Sequence, residues 1–198
     1  MTDEVVNLRS FFWQRRSNHC RHLTFEYIAA IDEETDRFIK QHHQHDLTRK
    51  EKSDLSWIMN NPWILSAPFK DAAGTKYYFS SRAGRFCYLG IKVFEQQNEM
   101  IGFFLLKVRD DRMSVVYSYY ESRHAASVTA AAFRLALAMD VSILSLYDEQ
   151  LAASFSGLRI PCWSAKKKSR AFSLSKAFGD ISLTNCRLQG GDGDLAFY

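Results

Sequence analysis

The chain has 198 residues, of which 46% are hydrophobic and 14% aromatic, and its formal net charge at pH 7 is +4. A chain of this length can form one domain with a full core or at most two small ones, and its apolar content excludes a disordered chain. No apolar run approaches the roughly 20 residues that a membrane-spanning helix needs, and the N-terminus lacks the order of a secretory signal.

The positive charge is concentrated near the two ends of the sequence. A nucleic-acid-binding chain would more often carry a basic stripe and a larger excess of positive charge. We therefore interpret both clusters as solvated surface and predict no nucleic-acid partner. Their members are Arg9, Arg15, Arg16, Arg21, Lys166, Lys167, Lys168 and Arg170.

The four cysteines, Cys20, Cys87, Cys162 and Cys186, are far apart and show no C-x-x-C spacing. This pattern predicts reduced thiols in a cytoplasmic protein and no metal site built from them.

Residues 1–22 form a basic and aromatic N-terminal segment, and residues 23–198 are predicted to form one domain. The segment combines Phe11, Phe12 and Trp13 with arginines, so an amphipathic helix at a membrane surface is one interpretation. Because its apolar cluster is short, a helix or arm that packs on a neighbouring domain is the preferred one.

The domain begins with a predicted strand at residues 23–31, which are rich in strand formers. Asp32 then stands where an N-cap belongs, before an acidic first turn, and predicts a helix that runs to about Gln44. Thr48 and Glu51 have the spacing of a capping box and predict the start of a second helix, which ends before Pro62.

The first helix ends in a histidine cluster of His42, His43 and His45. A metal site would need a fourth ligand and a defined geometry, and the sequence shows neither. Histidines suit the negative end of the helix dipole, so we interpret the cluster as a solvated helix end and predict no metal.

Four strand-like runs follow, at residues 76–81, 85–95, 100–110 and 113–121. Their connections are short, which predicts antiparallel neighbours. Several runs are apolar on both alternating faces, so the sheet is expected to be covered on both sides.

The remainder reads as a long apolar helix at residues 127–139, a short strand at 141–148, a helix at 149–157 and a closing hairpin at 169–188. The predicted order is β-α-α-β-β-β-β-α-β-α-β-β, an α+β domain with a mainly antiparallel mixed sheet and helices on both faces.

This order resembles the GNAT superfamily of acyl-CoA-dependent N-acyltransferases over most of residues 23–188. The chain is also similar to the C-terminal GNAT-like part of a group of bacterial acyltransferase-like proteins. These share an aromatic-Pro-Trp segment, a Tyr-Phe-Ser-Ser strand and a Gly-Asp-Gly-Asp tail. The matching stretches here are NNPWI (60–64), YYFSS (77–81) and GDGDLAFY (191–198).

The resemblance implies acetyl-CoA or another acyl-CoA as co-substrate. The pantetheine arm would lie between the fourth and fifth strands, here 113–121 and 141–148. The pyrophosphate would lie at the start of the next helix, where free N–H groups and the helix dipole favour an anion. The implied cofactor-binding residues are Tyr119, Tyr120, Arg123, His124, Ala125, Ala126, Ser127 and Val128.

The loop departs from the family pattern at two positions, because Ala126 and Val128 replace glycines. A valine side chain is expected to crowd a phosphate there, since glycine permits the closest approach. A plain core helix packed on the sheet is the alternative, with Ser122 or Ser127 as an ordinary N-cap.

Acyl transfer needs a neutral amine, a polarised thioester carbonyl and an acid for the leaving thiolate. In many family members a tyrosine supplies the acid, and Ala153 stands at that position here. Tyr147 is the nearest substitute by sequence, while Tyr119 and Glu121 are candidates for handling the amine. The alternative for the tyrosines is a wall residue with one polar tip.

The tail adds Asp192 and Asp194 in a glycine-rich frame, with too few ligands for a calcium loop. A carboxylate lid over a cationic amine and a tail held down by Leu195, Phe197 and Tyr198 are both compatible with the sequence. Two functions therefore stay open: an N-acyltransferase acting on an unknown amine, or a GNAT-like binding or domain-interaction module that has lost CoA binding.

Overall fold

The computed structural model describes residues 22–62, 64–66, 82–95, 98–158, 164–167 and 186–192. In these ranges one five-stranded mixed sheet is combined with four α-helices, so the predicted α+β class is confirmed. The strands are β1 (Thr24–Ile28), β2 (Leu65–Ser66), β3 (Arg82–Ala83), β4 (Phe86–Phe94), β5 (Met100–Arg109), β6 (Arg112–Tyr120) and β7 (Ile143–Leu146). The helices are α1 (Glu33–His42), α2 (Lys52–Asn60), α3 (Ala125–Ala138) and α4 (Glu149–Gly157).

The predicted strands at 85–95, 100–110 and 113–121 are confirmed within one or two residues at each end, and the helix at 149–157 has the predicted bounds. The N-terminal segment, apart from residue 22, lies outside the described residues. So do the predicted strand at 76–81 and residues 169–185 of the predicted closing hairpin.

The main sheet has the order β1-β4-β5-β6-β7. Neighbours are antiparallel except for β6 and β7, which are parallel. Strand β5 is buried from Ile101 to Val108, so both faces of the sheet are covered as predicted. Helices α3 and α4 pack on one face, with Val128, Leu135 and Leu151 in the core. Helices α1 and α2 pack on the other, with Ile39, Leu55 and Ile58.

Strand β6 contains a bulge at Val116, because Leu106 pairs with Val115 while Leu105 pairs with Tyr117. The extra residue reverses the alternation of side chains along the strand. Its pairing with β7 ends at Val115, directly before the bulge. From Val116 onward, the edge of β6 that faces β7 is therefore not paired with β7.

Helix α1 begins at the predicted cap, since Asp32 Oδ1 accepts the Thr35 N–H at 2.8 Å. Asp32 also contacts the buried Lys92 ammonium at 2.6 Å, and Glu34 contacts it at 2.7 Å. Burial acts to raise the pKa of Asp32, but the hydrogen bonds from Lys92 and Thr35 outweigh it and lower the pKa to about 2.

The predicted capping box at Thr48 is wrong. Helix α2 begins at Lys52 with Glu51 as its N-cap, and Asp54 Oδ2 accepts the Glu51 N–H at 2.9 Å. The Thr48 hydroxyl instead donates a hydrogen bond to Asp192. The Thr48 side chain, which the local pattern assigned to a helix cap, is thus bonded to a residue 144 positions away in the sequence.

Replacing Asp32 tests the cap and its ion pair together. We expect Asp32→Ala to lower the free energy of unfolding by about 1–2 kcal/mol, because an N-cap bond is lost and Lys92 keeps fewer carboxylates. Urea unfolding at pH 7 measures the change. The exposed Gln41 of the same helix is the control, and Gln41→Ala should stay within about 0.5 kcal/mol. Equal losses in both variants would contradict the assignment.

Candidate functional site

The gap between β6 and β7 is occupied by residues 187–192 of the same chain, here called the inserted segment. The Gly191 N–H donates to the Val116 carbonyl oxygen at 2.9 Å. The Tyr117 hydroxyl donates to the Gly191 carbonyl oxygen at 2.8 Å. The segment thus takes the place of a neighbouring strand where β7 no longer pairs with β6.

The side chain of Gln189 continues this pairing along β6. Its Oε1 accepts the Ser118 N–H at 3.2 Å, and its Nε2 donates to the Ser118 carbonyl oxygen at 2.9 Å. Gln189 is only 2% exposed. A carboxamide therefore satisfies a buried peptide group of β6 in the way that a peptide of a paired strand would.

Two glycines allow the inserted segment to enter. A Cβ on Gly190 would overlap the Tyr147 ring and lie 2.8 Å from the Val115 carbonyl oxygen. A Cβ on Gly191 would overlap the Tyr117 ring. The gap therefore accepts backbone without side chains at these two positions.

Arg187 connects the segment to the start of α4. Its guanidinium donates to the Ser118 carbonyl oxygen at 2.6 Å and to the Asp148 carboxylate at 2.8 Å through Nε. Asp148 is also the N-cap of α4, because its Oδ1 accepts the Leu151 N–H at 2.9 Å. The same oxygen accepts the Tyr120 hydroxyl at 2.6 Å. Burial and the nearby Asp148 raise the pKa of Tyr120, so its hydroxyl stays protonated.

Two buried carboxylates lie against the other side of the inserted segment. Asp192 accepts the Gln189 N–H at 2.8 Å together with the Thr48 hydroxyl. Asp46 Oδ2 accepts Gln189 Nε2 at 3.1 Å, while its Oδ1 has no hydrogen-bond partner among the described residues. Burial raises the pKa of Asp46 to about 6 despite the hydrogen bond from Gln189, and burial also raises the pKa of Asp192.

The structure brings three predicted site residues close to this gap. Tyr119 is fully buried on the α1–α2 face and stacks on Phe103 with ring centroids 6.4 Å apart. Its hydroxyl has no hydrogen-bond partner among the described residues, and burial followed by the charge of Asp46 raises its pKa. Tyr120 points to the opposite face, and the Tyr147 ring lies against Gly190.

Glu121 and Arg123 lie apart from these tyrosines on the surface. Arg123 Nε is 2.8 Å from Glu121 Oε2, and both side chains are exposed. Arg123 Nη2 is also 3.7 Å from Glu99 Oε1. Exposed pairs of this kind add little to stability, so Arg123 is available to bind an external anion.

A carboxylate lies beside the first turn of α3, where the resemblance implies a pyrophosphate. The Ser127 hydroxyl donates to Glu95 Oε1 at 3.4 Å, and His124 Nδ1 is 3.5 Å from Glu95 Oε2. Ala125 is buried and Ala126 half-buried in the same turn. The Glu95 carboxylate therefore lies near the positive end of this helix, held by two side chains of its first turn.

Two expectations about this loop are wrong. Val128 is fully buried and points toward Gly102, where its Cγ2 would lie 3.1 Å from an added Cβ, so it does not crowd the loop. Neither Ser122 nor Ser127 is the N-cap of α3. A 3-10 turn at Ser122–His124 precedes the helix, which makes His124 the cap residue without a side-chain hydrogen bond.

Sequence reasoning missed Asp46, Gln189 and Arg187. The run of Gln189, two glycines and Asp192 is a signal that could have indicated a tightly packed turn. Asp46 carries no local signal, because its contact with Gln189 joins residues 143 positions apart.

Two histidines of the cluster have a ring nitrogen close to a backbone carbonyl oxygen. His42 Nδ1 is 2.7 Å from the Phe38 oxygen, and His43 Nδ1 is 3.4 Å from the Lys50 oxygen. Within the described ranges, no group of three or more potential ligands is placed to hold a metal ion, and no helix is long and apolar enough to cross a membrane.

Comparison of the chain with protein-family models, curated proteins and solved structures gave no match.

The raised pKa of Asp46 makes a testable contribution to stability. Its stabilising effect is fully present below about pH 3.8 and is lost as pH rises through about 6. Asp46→Asn keeps an acceptor for Gln189 and removes the buried charge. We therefore expect it to exceed wild type in unfolding free energy by about 1–3 kcal/mol at pH 7.5 and by much less at pH 4.5.

Urea unfolding at the two pH values measures this difference. The control is Asp111→Asn, which changes an exposed aspartate in the turn before β6. A gain for Asp46→Asn that is the same at both pH values would contradict the argument.

Proposed function

We propose that the chain is a GNAT-type N-acyltransferase that transfers an acyl group from an acyl-CoA, with acetyl-CoA as the first candidate, to an amine. The observation that carries the proposal is the separation of the parallel strands β6 and β7 after Val115, which leaves a β6 edge that binds amide groups. Helix α3 connects β6 to β7, and its first turn comes directly after the end of β6 and a short 3-10 turn.

The pantetheine arm of CoA is an extended chain with amide groups. It could pair with the Val116 and Ser118 peptide groups as Gly191 and Gln189 do in the closed state, in which the inserted segment occupies the gap. Arg123, exposed at the start of the following helix, would then contact the phosphates once Glu95 turns away. Binding of acyl-CoA therefore requires the inserted segment to leave the gap.

The reaction itself must balance as an aminolysis. The acceptor ammonium first loses one proton, and the neutral nitrogen then forms a bond to the thioester carbon. The carbon–sulfur bond breaks, and the second proton of the nitrogen ends on the thiolate. We assign Tyr147 as the proton donor to sulfur, because its ring borders the gap at Gly190. The buried Tyr119 and the exposed Glu121 remain candidates for the amine.

A second function is favoured by a different observation. The inserted segment fits the gap because Gly190 and Gly191 have no side chains, and the Glu95 carboxylate contacts Ser127 in the first turn of α3. A module that has permanently replaced its cofactor by its own chain would look the same. It would act as a binding or domain-interaction module, with residues 1–22 as the predicted contact to a neighbouring domain.

Calorimetric titration with acetyl-CoA and with free CoA distinguishes the two functions. We expect Gly191→Ala, whose Cβ excludes the inserted segment, to bind with micromolar affinity, and the wild type to bind more weakly. Adding Arg123→Ala should weaken binding by roughly tenfold, or about 1.4 kcal/mol, with little change in stability.

Arg112→Ala is the matched control, because Arg112 is also an exposed arginine of the β6 region and is paired with Asp111 at 3.8 Å. It should leave the affinity unchanged. No heat with either ligand, on folded wild type and folded Gly191→Ala, would favour the module without cofactor.

A further inference from the structure

Two side chains of the inserted segment, Arg187 and Gln189, donate N–H groups to the body of the domain, although Gln189 Oε1 also accepts the Ser118 N–H. The acceptors of these N–H groups are oxygen atoms of Ser118, Asp148 and Asp46. The donors converge on the Ser118 carbonyl oxygen, at 2.6 Å from Arg187 and 2.9 Å from Gln189. The Asp148 carboxylate accepts the Arg187 Nε–H, and the Asp46 carboxylate accepts an N–H of Gln189 Nε2.

The acceptor side is deficient in positive charge. Asp46 and Asp148 are each only 6% exposed. Arg187 neutralises Asp148 at 2.6 Å, whereas the Asp46 carboxylate has no ion-pair partner within 4 Å in the described part of the chain and accepts a hydrogen bond from the neutral Gln189 amide. The charges of Arg187 and His43 act on Asp46 from farther away, and burial outweighs them in setting its pKa. Buried carboxylates are normally paired with a cation.

Two buried oxygen atoms near this site have capacity to accept further hydrogen bonds. Asp46 Oδ1 and the Tyr119 hydroxyl both lack a hydrogen-bond partner among the described residues. A ligand that carries a positive charge and several N–H donors would satisfy these groups better than the Gln189 carboxamide does.

We propose that Asp46, Asp148 and the Ser118 carbonyl group form a recognition site for an ammonium or guanidinium group, which Arg187 and Gln189 occupy in the closed chain. As a site for part of the acyl acceptor, this inference rests on the proposed function. A group held between two carboxylates stays protonated and cannot attack a thioester. The acceptor class is therefore a diamine, or an amine that also carries a guanidinium group.

The intramolecular ligand must be displaced before an external one binds. Because Arg187 and Gln189 are tethered, their effective concentration at the site is high, and the wild type should bind external cations weakly. Removing the tethered groups should expose the site.

The test uses butylguanidinium and butylammonium chloride as probes and tetramethylammonium chloride as a control cation without N–H donors. Binding is followed by ligand-observed NMR titration. We expect Gly191→Ala to bind butylguanidinium at least tenfold more tightly than the wild type. Gly157→Ala is the matched control, because a Cβ at Gly157 meets nothing within 4 Å, and it should behave as wild type.

Adding Asp46→Asn to Gly191→Ala should reduce the affinity for butylguanidinium at least tenfold. If Gly191→Ala fails to fold, the double variant Arg187→Ala with Gln189→Ala is used in its place. It removes the two side chains from the site without adding a bulky group. Butylguanidinium binding no tighter in the emptied variant than in wild type would overturn the inference. So would equal binding of tetramethylammonium, or no effect of Asp46→Asn.

Parallel titration with acetyl-CoA separates this inference from the proposed function. An emptied variant that binds acetyl-CoA but no butylguanidinium overturns the cation site alone. One that binds butylguanidinium through Asp46 but no acetyl-CoA supports the cation site and removes the acyltransferase.

Discussion

The hydrogen bonding of β6 beyond its bulge is the constraint on which the rest of the structure depends. The peptide groups at Val116 and Ser118 lie in the interior, and β7 leaves them after Val115. Buried peptide groups must find partners. The chain supplies them with a backbone N–H from Gly191 and a carboxamide from Gln189, which brings residues 187–192 to the edge of β6.

The bulge at Val116 also decides which side chains surround the gap. By reversing the alternation, it places Tyr117 and Tyr119 on the face of α1 and α2, and Tyr120 on the face of α3 and α4. The gap is thereby lined from both faces, and Asp46 from the α1–α2 connection and Asp148 from the start of α4 reach the same segment. Polar groups from distant parts of the sequence meet at one strand edge for this reason.

Closure by the inserted segment gives one physical explanation for both candidate functions. An edge that accepts amides can bind an acyl-CoA when the segment leaves, or it can remain permanently satisfied by its own chain. The free energy that separates the closed and open states decides between them. The Asp46 carboxylate raises the free energy of the closed state at neutral pH, because its burial outweighs the hydrogen bond from Gln189 and the charges of Arg187 and His43.

The sequence by itself determined the three long strands β4, β5 and β6 and the helix α4, with bounds within two residues. Apolar residues on both faces of β5 predicted a sheet covered on both sides, and Asp32 predicted the start of α1, because both depend on neighbours in the chain. Comparison of the loop before α3 with a glycine pattern gave a wrong direction for the Val128 side chain. Packing on Gly102 sets that direction.

The site was decided by tertiary structure. Thr48 donates a hydrogen bond to Asp192 and does not cap a helix, and Asp46 accepts one from Gln189, 143 positions away. No local sequence pattern predicts either contact. The predicted tyrosines do border the gap, but the residues that fill it and hold it closed were not anticipated. Local propensity specifies which strands form. Which strand edge stays unpaired, and what satisfies it, follows only from how the strands diverge in the folded chain.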